Sequence, residues 1–124
     1  MSSFKTSLNE FNTLLREGKT LEAMERFHAD NILVQENDDP PRQGKAKSLA
    51  HERKNLARFK SLKIELLNQA VDEDRQVVFT EMDLYFTTLD DVRLHLREVS
   101  VQHWADDAII KERFYYKNIR PLAT

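Results

Sequence analysis

The chain has 124 residues, 40% of them hydrophobic and 32% charged, with a formal net charge of -2 and no cysteine. That length and composition suit one folded domain spanning residues 1–124 and exclude a wholly disordered chain. The missing cysteines exclude disulfides, thiolate nucleophiles and cysteine-ligated zinc, and the charge balance lacks the basic field of a nucleic-acid binder. No apolar run approaches the ~20 residues needed to cross a bilayer, so no membrane partner is expected. The start, Met1-Ser2-Ser3-Phe4-Lys5, has no apolar leader, and the expected location is the cytoplasm.

Ser7 and Glu10 have capping-box spacing, and Leu8, Phe11, Leu14 and Leu15 recur at helical spacing behind them. Gly18 suits the left-handed residue that ends such a helix. Thr20 can cap a second helix, with Leu21, Ala23, Met24 and Phe27 on its apolar side, ending near His28. Ile32 to Gln35 is a short β-prone run. Asn37-Asp38-Asp39-Pro40-Pro41 must be loop, because two prolines cannot continue a ladder. Gly44 precedes a third helix, Lys45 to Arg58, whose apolar side is Leu49, Ala50, Leu56 and Ala57.

From Ser61 the period becomes two, with Leu62, Ile64 and Leu66 alternating with charged residues. Asp72-Glu73-Asp74 is a turn, and Gln76 to Thr88 a long strand. Asp90-Asp91 turns the chain into a further strand, Val92 to Trp104. Its apolar residues switch parity around Arg97 and Glu98, from Leu94 and Leu96 to Val99 and Val101, which predicts a bulge or sharp bend. Asp106-Asp107 turns into a last strand, Ile109 to Asn118, and Pro121 begins a tail. Strands joined by such short turns are antiparallel.

Several segments carry a family likeness. Gly18 breaks two opening helices, Phe27-His28-Ala29-Asp30-Asn31-Ile32 is similar to an F-A-D-D-A lead into a first strand, and Gly44 stands before the third helix. Ile109-Ile110-Lys111-Glu112-Arg113-Phe114-Tyr115-Tyr116 is similar to a K-I-x-E-x-x-x-Y last strand. In order and spacing these resemble the NTF2-like superfamily, and within it the SnoaL-like and ketosteroid-isomerase-like domains. The resemblance implies an α+β cone: three N-terminal helices packed on a strongly curved, mainly antiparallel sheet that encloses a pocket. It also implies a homodimer formed through the open sheet face. It does not imply one function, because this fold hosts enzymes, binding proteins and dimerisation modules.

Glu36, at the end of the first strand, matches the position of the catalytic carboxylate in isomerases of this fold. A carboxylate in an apolar pocket can shuttle a proton. His103 on the late strand can serve as acid or base, since imidazole titrates near neutrality. Tyr115 and Tyr116 point to opposite faces, so one of them, Tyr116, is the candidate hydroxyl donor. The resemblance puts a donor tyrosine of the isomerases at Phe11 and their acid near Ser100, so that donor set is absent here. The Arg-x-Asp pair of epoxide hydrolases of this fold is absent too. Phe11, Leu15, Phe27, Val34, Ser100, Trp104 and Phe114 are the expected ligand-lining residues. The histidines, His28, His51, His95 and His103, lack metal-ligand spacing, so no metal and no cofactor is expected. The basic stretch from Arg42 to Lys63 reads as a solvated face, and nucleic acid is not an expected partner. Two functions remain. One is a cofactor-free isomerase, lyase or cyclase using Glu36 as proton shuttle on a small hydrophobic molecule. The other is a non-catalytic ligand-binding or dimerisation module.

Overall fold

Burial of an apolar stripe at helical spacing builds α1, Ser3–Arg16, in which Phe4, Leu8, Phe11 and Leu14 are buried. The computed structural model describes residues 3–117 and 120–121. Because Phe4 belongs to the same stripe, the helix already includes Ser3, and Ser7 lies within it instead of capping it. Gly18, at φ +75°, ends the helix: its N–H donates to Leu15 at 3.0 Å, and that of Lys19 to Leu14 at 2.8 Å. A short second helix follows, α2, Thr20–Phe27. Its cap position is Lys19 with no side-chain bond, so Thr20 is its first residue and not its cap.

The first strand, β1, His28–Glu36, is longer than the run Ile32 to Gln35 because it gains a parallel partner in β6, at His28 and again from Leu33 to Glu36 past an irregularity. A turn at the prolines leads to the two-residue β2, Arg42–Gln43, antiparallel to β1. The third helix, α3, Lys45–Leu56, stops two residues short of Arg58. It buries Ser48 and Leu49 while Ala50 and Ala57 are exposed, so its inward face is not the expected apolar one.

Long strands follow: β3, Phe59–Asp72; β4, Val77–Thr88; β5, Arg93–Ala105; and β6, Ala108–Tyr116. The sheet order is β2-β1-β6-β5-β4-β3, with β1–β6 parallel and the other neighbours antiparallel. Irregularities in register between Phe59 and Ser61, Leu66 and Asn68, and His103 and Trp104 help bend the sheet. Pro121 is not the start of a free tail: Arg120–Pro121 form β7, in register with His95 and Leu94 of β5. Asn118, the expected end of the last strand, lies outside the described residues.

The bulge expected near Arg97 and Glu98 does not exist. The β4–β5 register runs without a break from Val77↔His103 to Thr87↔Arg93. Alternation therefore puts Leu96, Glu98, Ser100, Gln102 and Trp104 inside, all buried, while Val99 is exposed on the outer face. The apolar parity switches because an apolar patch lies outside while polar residues are turned inward.

The core joins the two opening helices to the sheet. Phe4 and Phe11 of α1 and Phe27 of α2 surround Trp104, with ring centroids 5.7, 6.0 and 5.9 Å from it. Such tilted and edge-on ring pairs add to the burial of large apolar side chains. No helix among the described residues is long and apolar enough to cross a membrane.

Candidate functional site

Between the concave sheet face and the helices lies a cavity of about 390 Å³. Its apolar walls include Phe11 and Leu15 of α1, Val34 of β1, Met82 and Leu84 of β4, and Phe114 of β6. Into this apolar space the sheet and α3 bring an unusual number of acids: Glu36, Glu52, Glu98 and Glu112 all line it.

Glu36 ends β1 where the chain turns away through Pro40 and Pro41, and the return strand β2 places Arg42 back against it. Arg42 Nη1 donates to Glu36 Oε2 at 2.8 Å. Tyr116, at the end of β6, donates its hydroxyl to Glu36 Oε1 at 3.0 Å. Burial first, and then the Glu36 charge, push the Tyr116 hydroxyl up to about 12, so it acts as a donor and not as a phenolate. His51 of α3 stands at the same carboxylate, Nε2 to Oε2 3.6 Å, and accepts from Asn55 Nδ2 at 3.1 Å. Glu36 is thus a carboxylate between a guanidinium, a phenol and an imidazole, at the edge of an apolar cavity.

Glu98 is different. It lies directly across the ladder from Tyr116, is 8% exposed, and makes no hydrogen bond or ion pair among the described residues. Burial pushes its carboxyl up to about 8, and the nearby Glu112, Glu36 and Glu52 push in the same direction. Its surroundings therefore favour the protonated form. Glu52 is raised too, by burial and then by Glu112 and Glu36. Glu112 is the settled member: Gln102 Nε2 donates to it at 2.6 Å, His28 Nε2 lies 3.3 Å away, and Trp104 Nε1 donates to Gln102 at 3.1 Å. This buried chain ties the cavity floor to the aromatic core.

The structure brings Glu36 and Tyr116 together and sets Phe11, Leu15, Val34 and Phe114 in the same cavity wall. It does not bring His103 there. By strand alternation His103 shares the outer face with Val99 and Val101, the face opposite Glu98. Phe27 and Trp104 are core residues that pack on each other and do not line the cavity. Ser100 is fully buried behind the wall, its hydroxyl without a partner among the described residues, and it also does not reach the cavity. Unbroken period-two counting from Leu94 and Leu96 would have found Glu98. The helical spacing of Ser48, His51, Glu52, Asn55 and Leu56 would have found the polar face of α3. Arg42 had no local signal, because only the loop return through β2 carries it to Glu36. No group of three or more His, Cys, Asp or Glu among the described residues is arranged to hold a metal ion.

The cone, the sheet order and the enclosed cavity together define the NTF2-like fold, in the form shared by SnoaL-like proteins. No family model matches the sequence, and no curated protein matches it. Solved structures do. The epoxide hydrolase/cyclase-like enzyme SalBIII, studied for pyran ring formation in the polyether salinomycin, matches with a TM-score of 0.79 and 17% identity, over 97% of this chain and 96% of its own. An NTF2-like protein of unknown function from Burkholderia pseudomallei K96243 matches with a TM-score of 0.78 and 10% identity, over 94% and 92%. A protein from Jannaschia sp. CCS1, assigned as a SnoaL-like polyketide cyclase, matches with a TM-score of 0.76 and 14% identity, over 94% and 90%. At these identities the likeness is one of fold.

Proposed function

We propose that this chain is a cofactor-free acid–base enzyme acting on a small, largely apolar molecule. One observation carries the reading: the same apolar cavity is lined by a carboxyl held by Arg42 and Tyr116, Glu36, and by a deeply buried carboxyl without a partner among the described residues, Glu98. Glu36 accepts from Arg42 and Tyr116, which orient it. Glu98 has no partner among the described residues and keeps its proton because ionising there would bury a further charge beside other acids. Two carboxyl groups whose surroundings differ in this way are suited to opposite roles: one takes a proton from the ligand and the other gives one to it. His51, half-exposed beside Glu36, offers that carboxylate a path for protons to solvent. The products of such chemistry are isomers or ring-closed forms of the substrate. That SalBIII is described as hydrolase/cyclase-like is consistent with this and does not decide it.

The test is proton exchange at carbon. A cyclic ketone of suitable size, 2-tetralone, is incubated with the protein in D₂O and followed by proton NMR. The native protein speeds exchange next to the carbonyl, and Glu36→Gln loses about a hundredfold of that rate, the scale of general base catalysis. Native and Glu36→Gln proteins that leave the exchange rate equally at its buffer value would favour the non-catalytic alternative, a ligand-binding module.

The same reading includes a homodimer. On the outer sheet face Phe79, Val99 and Tyr115 are 45%, 36% and 45% exposed, on neighbouring strands, with Val99 in register with Tyr115. A second copy of the sheet would cover this apolar surface.

A further inference from the structure

The acids of the cavity are only partly answered by cations from the chain itself. Glu36 has Arg42, and Glu112 has Gln102 and His28. Glu52 on α3 and Glu98 on β5 have neither a hydrogen bond nor an ion pair among the described residues. Both line the same cavity. Glu98 is more than nine-tenths buried, lines the cavity and is not among the groups whose polar atoms are sealed from it. Two acids facing one apolar cavity, one of them deeply buried, would bear an electrostatic cost if both ionised; Glu98 avoids it by keeping its proton, and a cation from outside would relieve it as well. Arg58 reaches the cavity rim, but its guanidinium lies over the Phe59 ring, 5.9 Å from the centroid, and pairs with neither acid.

We propose that the ligand of this cavity carries a basic nitrogen, an amine or imine, seated against Glu98 and Glu52. The apolar body of the ligand then lies along Phe11, Met82, Leu84 and Phe114, and the nitrogen at the acidic end. The inference rests on this cavity being the site of the acid–base chemistry, and it specifies the substrate class. An imine nitrogen takes the proton of Glu98 and becomes iminium, leaving a carboxylate beside it. An amine that arrives as ammonium meets a Glu98 that must lose its proton to the buffer, so that one carboxylate faces one cation. The other ionisable groups around Glu98 are Glu36, Glu52, Glu112 and Tyr116. Glu112, Glu36 and Glu52 disfavour a negative charge on Glu98 and favour a bound positive one, whereas Arg42 and His28 act the other way at Glu52, and His51 and Arg58 also line the cavity.

The experiment uses heptylamine, heptanol and heptanoate as chain-matched probes in titration calorimetry at pH 7. Heptylamine is expected to bind at least about tenfold more tightly than heptanol, and heptanoate not at all. Repeating the titration in buffers of different ionisation enthalpy should show release of about one proton per amine bound, the proton of Glu98. Glu98→Gln and Glu52→Gln should each lower heptylamine affinity about tenfold and leave heptanol unchanged, while Glu36→Gln, whose acid is already paired with Arg42, should lower it by much less. Heptanol or heptanoate binding as well as the amine, no binding of the amine, or no proton release would overturn the inference. Loss of amine binding in Glu36→Gln alone would overturn it as well, while leaving the acid–base reading standing. Conversely, amine binding as expected with no effect of Glu36→Gln on 2-tetralone exchange would remove the catalytic reading and leave an amine-binding cavity.

Discussion

Glu98 shows how a single side chain changes the meaning of this cavity. In an unfolded chain its carboxyl ionises at the ordinary value of 4.5, whereas in the folded protein burial holds it up at about 8. Between those values the unfolded chain has lost a proton that the folded protein keeps. The neutral form is the one the fold favours, so this residue makes the protein less stable as pH rises from about 4.5 to about 8, and no further above that. The slope from one such group is about 1.4 kcal/mol per pH unit at most. Glu98→Gln keeps the shape and removes the titration. Denaturant unfolding between pH 5 and 8 should show a flatter pH dependence for the variant and a higher stability than the native protein at pH 8. Parallel curves for the two proteins would mean that Glu98 ionises normally. Glu36 reads differently at the same scale: it was recognisable from its place at the strand end, but Arg42 and His51, which define its chemistry, come from elements whose approach the local sequence does not encode.

At the scale of elements, strand β5 shows both how far sequence reasoning reaches and where it stops. Its length and neighbours follow from the acidic turns on either side and from period-two patterning. Its facing was misread, because Val99 and Val101 look like core residues and Glu98 like a surface one. Apolar side chains stand on both faces of this sheet, and apolarity alone does not then tell inside from outside. Helix α3 has the same ambiguity: its polar inward face borders a cavity and not a packed core. The outer rung of β4 and β5 has a structural role of its own. Asp83 accepts from Arg97 at 2.8 and 2.9 Å and lies 2.8 Å from His95, which stacks on Tyr85. The Arg97 bonds, helped by His95 against the cost of burial, hold the Asp83 carboxyl down at about 2, below its ordinary 3.8. A lowered acid stabilises the fold above its unfolded value and loses that contribution as pH falls through the folded one. Asp83→Asn should therefore cost about 1 kcal/mol at neutral pH, the guanidinium being largely solvated, and this difference should vanish as pH approaches 2. A deficit unchanged down to pH 2 would assign the loss to packing.

For the whole molecule, the cone was legible because the signals agreed: two opening helices broken at Gly18, a proline loop, and long strands at tight acidic turns, though the caps expected at Ser7 and Thr20 are not formed. The parallel β1–β6 pairing was not legible, since it depends on contacts about 80 residues apart in the chain, whereas the inward facing of Glu98 follows from unbroken alternation along β5. The outer face, with Phe79, Val99 and Tyr115 exposed, bears on assembly. Sedimentation of the native protein should give a dimer, and Val99→Glu should shift it to monomer while the far-ultraviolet spectrum stays the same. A native protein that sediments as a monomer at 50–100 times lower and higher loading alike would contradict assembly through this face. The account as a whole depends on two carboxyl groups of unlike state in one apolar cavity. The measurement that reaches this directly is a carbon-13 NMR titration of the glutamate side-chain carboxyls, with Glu98 assigned by the loss of its signal in Glu98→Gln. A midpoint for Glu98 near 8 is the predicted result. A midpoint near the ordinary 4.5 would mean that no proton is held in the cavity at neutral pH, and the acid–base reading would fall with it.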